Sequence, residues 1–188
     1  MGAVLRSTSI LKAIHRKYPN AHITWVTRPR TKDLLINNPL IDRIIEVNTD
    51  GILELSALDF DVALVVDKSL VAAGLLRNVR VKEVYGFRTE KHTGSIVPAT
   101  LAAQELWEIG LSNEKKFFQN QKPETQLITE ALELEYRRDP YTVCLTDKEQ
   151  SEANNRRRDW LMHSKVLVGI NTGCSNIMPY KKLTINAH

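Results

Sequence analysis

Cysteine is nearly absent: Cys144 and Cys174 are the only two in 188 residues. Two thiols so far apart make neither a disulfide framework nor a zinc site, and a reducing cytoplasm is the expected compartment. Aromatic residues are sparse at 6% and are not interleaved with the basic side chains, which, with no recognisable nucleic-acid module, argues against a nucleic-acid partner. Long apolar runs are lacking too. Val62 to Val66 and Ser69 to Leu76 fall well short of the ~18 residues that a membrane span needs. Met1 to Arg6 has no basic stretch ahead of an apolar core, so no secretory signal is expected. The five histidines, His15, His22, His92, His163 and His188, show no i, i+4 pairing or carboxylate spacing suited to a metal, so no metal or cofactor is expected.

What is present is an ordinary globular balance, 43% apolar and 26% charged, enough for a packed core. The 26 basic and 22 acidic residues give a net charge of +4. That excess lies within residues 1–50, which hold 8 basic and 4 acidic side chains. An anionic partner would meet this amino-terminal segment, although a solvated basic face explains the same surplus.

Strand and helix patterns alternate. Val4, Leu5, Ile10, Leu11, Ile14 and Tyr18 recur at helical spacing, which predicts one amphipathic helix from Ala3 to Tyr18, closed by Pro19-Asn20. His22 to Thr27 reads as a strand, Thr31 to Asn37 as a short helix, Asp42 to Val47 as a strand, and Asp61 to Val66 as a strand buried on both faces. Ser69 to Arg77 returns to helix and Glu83 to Phe87 to strand. Helices are expected at Thr100 to Ile109 and Pro123 to Glu135, with Ser112 to Lys122 as a loop or lid between them. Tyr141 to Leu145 reads as a strand, Asp147 to Met162 as a charged helix, and Lys165 to Asn171 as a buried strand entering Thr172-Gly173-Cys174-Ser175. Such alternation predicts an α/β fold, a Rossmann-like doubly wound parallel sheet over residues 1–140. A linker helix and the truncated start of a second α/β domain follow over 141–188, the boundary falling between Arg137 and Lys148. In a doubly wound sheet the first strand precedes the first helix and lies centrally. This sequence opens directly on Gly2 and the helix, and its last residues, Thr184 to His188, read as a helix just begun. A fragment lacking its first strand and cut at both ends is therefore expected; the alternative is a complete small domain whose sheet starts at His22.

Several segments resemble a known family. Gly2 to Ile14 followed by Lys17-Tyr18-Pro19-Asn20, then Asn38-Pro39-Leu40-Ile41-Asp42, Phe60-Asp61 with its apolar run, and Val84-Tyr85-Gly86-Phe87 are similar, in the same order, to the ADP-heptose:lipopolysaccharide heptosyltransferases of glycosyltransferase family 9. Val168-Gly169-Ile170-Asn171-Thr172-Gly173-Cys174-Ser175 and Tyr180-Lys181-Lys182-Leu183-Thr184 resemble the first strand and loop of that family's donor domain. The resemblance implies the amino-terminal half of a GT-B type glycosyltransferase, with ADP-heptose or a similar nucleotide sugar as donor. The acceptor would be a lipopolysaccharide core sugar, met at the cytoplasmic face of the inner membrane with peripheral membrane contact. It implies an acceptor-side loop at Gly2, Ala3, Arg6 and Thr8, and donor-phosphate binding by Asn171, Thr172, Gly173, Ser175 and Lys181. Small residues there let backbone N–H groups approach a pyrophosphate, while hydroxyls and a lysine answer its charge.

At one position the pattern departs from the family. The catalytic base implied by the resemblance is an Asp after the first Gly, and this chain has Ala3, whose methyl group takes no proton. The base is thus unassigned, and a non-catalytic glycolipid- or partner-binding module is the alternative to an enzyme. Cys174 has no histidine near it in sequence and reads as a small packed residue. Asp67-Lys68-Ser69 sits after a strand at the edge where open α/β sheets bind ligands, and an N-cap by Asp67 or Ser69 explains it first.

Overall fold

A computed structural model describes residues 1–162 and 165–169. The chain divides into two compact units, Met1–Cys144 and Leu145–His188. The first is mixed α/β with parallel strand pairs and covering helices, an arrangement compatible with a Rossmann-like fold. Among the described residues no helix is long and apolar enough to cross a membrane.

The amino-terminal helix is two helices, α1 (Gly2–Ser7) and α2 (Ile10–Lys17), where the sequence predicts one. Ser7, Thr8 and Ser9 each turn a hydroxyl back onto the carbonyl three residues earlier, at 2.8, 2.7 and 2.9 Å. These side chains compete with the backbone N–H groups and interrupt the regular ladder. β1 (Thr24–Thr27) pairs in parallel with β2 (Arg43–Glu46), with Trp25 opposite Ile44. The helix expected at Thr31 to Asn37 is instead a 3-10 helix, Pro29–Leu34; proline at its first position sets the start earlier. The sequence reading missed α3 (Thr49–Ser56), whose N-cap Asn48 accepts the Gly51 N–H at 2.8 Å.

β3 (Asp59–Val65), α4 (Leu70–Arg77) and β4 (Arg80–Thr89) form a parallel crossover unit, and β5 (Ile96–Pro98) adds an antiparallel strand beyond β4. A short 3-10 turn, Leu101–Ala103, leads into α5 (Gln104–Leu111). The segment expected as a loop or lid contains a π-helix, Lys115–Gln119, before α6 (Glu124–Ala131). The main core joins Ile10, Ala13 and Ile14 of α2 to Ile128, Leu132 and Leu134 at α6, with Ile23, Leu64, Val66 and Tyr85 packed against them. A second cluster gathers Phe87, Ala103 and Ala131.

Three further expectations need correction. Asp61 to Val66 is not buried on both faces: none of the β3 residues is buried, because β3 lies at the edge of its sheet. Tyr141 to Leu145 forms no strand. Side chains take the polar groups of Thr142 instead, its N–H by Thr8 Oγ1 at 2.9 Å and its hydroxyl by Asn38 Nδ2 at 3.0 Å. Lys165 to Gly169 is likewise outside any strand, and Val166 and Val168 are 70% and 74% exposed; a strand exists only through a neighbour, and none pairs with it among the described residues. In the second unit, α7 (Asp147–Leu161) starts from a capping box of Thr146 and Glu149.

Candidate functional site

The acceptor-side residues expected from the sequence do not share one role. Gly2 and Ala3 are exposed at the start of α1. Arg6 is half-exposed and its guanidinium pairs with Glu124 at the start of α6, 2.9 Å from Nε to the carboxylate. Thr8 is 2% exposed, and its hydroxyl donates to Leu5 O while accepting from Thr142 N–H. The Thr8 oxygen therefore holds the chain together, and Arg6 is the member of the set whose charge faces outward. Asn171, Thr172, Gly173, Cys174, Ser175 and Lys181, and the helix start at Thr184, lie outside the described residues.

The sequence reading explains Asp67-Lys68-Ser69 first by an N-cap from Asp67 or Ser69. Ser69 does the capping, its hydroxyl accepting Ala72 N–H at 3.3 Å, and Lys68, just after the carboxyl end of β3, is exposed. Its ammonium donates to Leu106 O at 3.0 Å and lies 5.0 Å from the centre of the Phe87 ring. Burial pushes its pKa below the usual lysine value, the nearby charge of Lys116 adds to that, and the carboxylate of Glu124 acts in the opposite sense. Among the described residues no carboxylate comes within ion-pair distance of it.

Phe87 is put beneath Lys68 by the residue before it. Gly86 has φ +88°, and a Cβ there would stand 2.1 Å from Val65 O. Only glycine accepts both the left-handed backbone and this contact. The Gly-Phe pair noted in the sequence thus turns β4 so that a fully buried ring lies under the ammonium of an exposed lysine.

Glu124 is paired with Arg6, while Lys68 senses the charges of both Glu124 and Lys116, so the Lys68 ammonium is left incompletely answered after the carboxyl end of a parallel strand. Open α/β sheets bind ligands at that end, and an incompletely neutralised ammonium in a partly dry setting favours an anion. The groove between α5 and the π-helix is different: Lys115 pairs with Glu108, and Lys122 with Glu105 and Glu130, so its charges are answered internally. His15 is likewise engaged, its Nε2 lying 3.3 Å from Leu40 O. No signal of periodicity or spacing distinguishes Lys68 from other lysines in the sequence; only its position after an apolar strand does.

A scan against protein-family models finds no match, and comparisons with curated proteins and with solved structures find none either.

Proposed function

We propose that this chain comprises the acceptor-side domain, with the start of the donor domain, of a GT-B type glycosyltransferase similar to the heptosyltransferases. It transfers a heptose or related sugar from an ADP-sugar to a lipopolysaccharide core acceptor at the cytoplasmic face of the inner membrane. The observation that carries this reading is Lys68 after the carboxyl end of β3, its ammonium over the Phe87 ring, hydrogen-bonded to Leu106 O and near the charge of Lys116. It suits the phosphate or carboxylate of an anionic core sugar. Parallel strands, the ordered run of family-like segments and the Gly86-Phe87 turn support the same reading. Lys68 and Arg6 bind and orient the acceptor, while Asn171, Thr172, Gly173, Ser175 and Lys181 hold the donor pyrophosphate.

One observation favours the non-catalytic alternative. Ala3 is an exposed methyl at the start of α1, where the resemblance would place a base, and general-base catalysis is typically worth about 10²- to 10⁴-fold. Calorimetric titration of ADP into the parent chain and Lys181→Ala tests the donor half, with weaker binding expected in the variant; equal affinity in the two contradicts the assignment. Turnover of ADP-heptose on a deacylated core acceptor then separates enzyme from binding module.

A further inference from the structure

The π-helix Lys115–Gln119 is amphipathic in the reverse of the usual sense. Lys115 and Gln119, four residues apart, line the cleft against α5 with Glu105, Glu108 and Ile109, and the Lys115 ammonium pairs with the Glu108 carboxylate. Lys115 is the one residue of this turn that is not exposed. Phe117 and Phe118, its two apolar residues, are 66% and 84% exposed. A surface helix ordinarily turns its apolar stripe to the core and its charges to water. Here the protein holds the polar side and the aromatic side faces out.

Polar contacts fix the turn at both ends. Ser112 accepts Lys115 N–H on Oγ at 3.2 Å and Lys116 N–H on its carbonyl at 3.0 Å. Asn120 N–H closes onto Lys115 O at 2.8 Å, and the Asn120 side chain accepts Lys122 N–H at 3.0 Å. Lys122 in turn pairs with Glu105 of α5 and Glu130 of α6. The exposure of the two rings is therefore imposed by a braced backbone. Leu111, the last residue of α5, adds a third apolar side chain at 70% exposure.

Cations accompany these groups. Lys116 Nζ lies 5.3 Å from the centre of the Phe117 ring and, among the described residues, has no carboxylate within ion-pair distance. Lys68, likewise unpaired, holds its ammonium against Gly110, the residue before Leu111, where a Cβ would stand 3.1 Å from Nζ. Exposed aromatic and aliphatic side chains beside unanswered ammonium groups suit a bilayer interface: the apolar groups enter the acyl boundary while the lysines meet anionic headgroups. A second copy meeting this patch about a two-fold axis would set Lys116 against like charge, and Leu111 offers no face on which a nucleic-acid base could stack.

We infer that Leu111, Phe117 and Phe118, with Lys116 and Lys68, form a surface that docks on an anionic lipid bilayer. The family resemblance implies membrane contact without assigning residues to it, and the charge distribution directs an anionic partner to residues 1–50. This surface lies outside that segment and does not depend on the sugar-transfer reading.

The test is sedimentation of the full chain with vesicles of equal parts phosphatidylglycerol and phosphatidylcholine, with no sugar present. The parent chain co-sediments, more weakly as salt rises. Phe117→Ser/Phe118→Ser weakens binding at least about ten-fold, whereas Phe118→Leu, still apolar, stays within about two-fold of the parent. Lys116→Gln weakens binding and flattens its salt dependence. Arg28→Gln/Arg30→Gln, which removes two exposed cations from residues 1–50, changes binding by less than about two-fold. If the double phenylalanine variant does not keep the parent's thermal midpoint, Phe118→Ser alone takes its place. No binding by the parent, equal binding by the phenylalanine variant, equal binding to phosphatidylcholine alone, or loss on the arginine changes overturns the proposal. So does a parent that dimerises, or binds single-stranded DNA, through Phe117 and Phe118 while ignoring vesicles. Because no sugar enters this experiment, its failure is distinct from failure of the ADP titration or of sugar transfer.

Discussion

Thr8 Oγ1 accepts the backbone N–H of Thr142 at 2.9 Å, closing residues 134 positions apart around the break between α1 and α2. The hydroxyl is fully buried, so removing it leaves the Thr142 N–H without a partner. Thr8→Val is expected to lower stability by about 1–3 kcal/mol, the cost of a buried unsatisfied donor. Thr8→Ser should retain most of it. Chemical denaturation of the two variants checks this, and equal midpoints would contradict the clasp.

Gly86→Ala should be among the most damaging single changes. Its Cβ would overlap Val65 O at 2.1 Å with φ at +88°, and both the strain and the clash fall on backbone. A loss of about 2 kcal/mol or more is expected. Phe87 would be displaced with it, so loss of the Lys68–ring contact should accompany the fall in thermal midpoint.

Glu133 offers the opposite case. It adopts φ +55° after α6, where Leu134 N–H bonds Thr129 O and Glu133 N–H bonds Glu130 O. This is a Schellman ending whose left-handed position favours glycine. Glu133→Gly should raise stability by roughly 0.5–1 kcal/mol, and a lowered thermal midpoint would contradict the left-handed geometry.

Arg16 makes two hydrogen bonds to Asp139, 2.9 and 2.6 Å, and one to Glu135 O. The hydrogen bonds from Arg16 hold the Asp139 carboxyl below its ordinary value, against an opposing effect of burial. A depressed carboxylate pKa contributes stability that is present above the unfolded value of about 3.9 and lost as pH falls through the folded value. Acid titration of stability should therefore be shallower in Asp139→Asn than in the parent below about pH 4, with the variant already about 1 kcal/mol less stable at neutral pH. Parallel curves for the two proteins would contradict the linkage.

Alternation of strand and helix is legible in the sequence because β-branched and apolar runs mark β1, β2, β3 and α4 directly and a long charged run marks α7. Three features are not. The break at Thr8 depends on hydroxyls choosing local carbonyls, which periodicity does not register. Tyr141 to Leu145 has strand composition, yet Thr8 and Asn38, distant in sequence, take the polar groups of Thr142 from the side. Lys68 acquires its setting only when Gly86 turns β4 and brings Phe87 beneath it. Arg6 is expected in the acceptor-side loop from the resemblance alone, and its pairing with Glu124 follows from the packing of α1 near α6.

The most direct measurement concerns Lys68. Burial of its ammonium costs stability below its lowered pKa, and that cost disappears as pH rises towards the unfolded value of about 10.4. Lys68→Met keeps the stem over Phe87 and removes the charge, so folding stability should stay within about 1 kcal/mol of the parent. Binding of a deacylated, phosphorylated lipopolysaccharide core, measured by calorimetry at pH 7, should weaken at least about ten-fold, the loss of a charge-assisted contact. In the parent, affinity should also fall at a lower pH than an ordinary lysine would give. Equal affinity in Lys68→Met and the parent, at unchanged stability, would contradict the assignment of this cation group as the acceptor site.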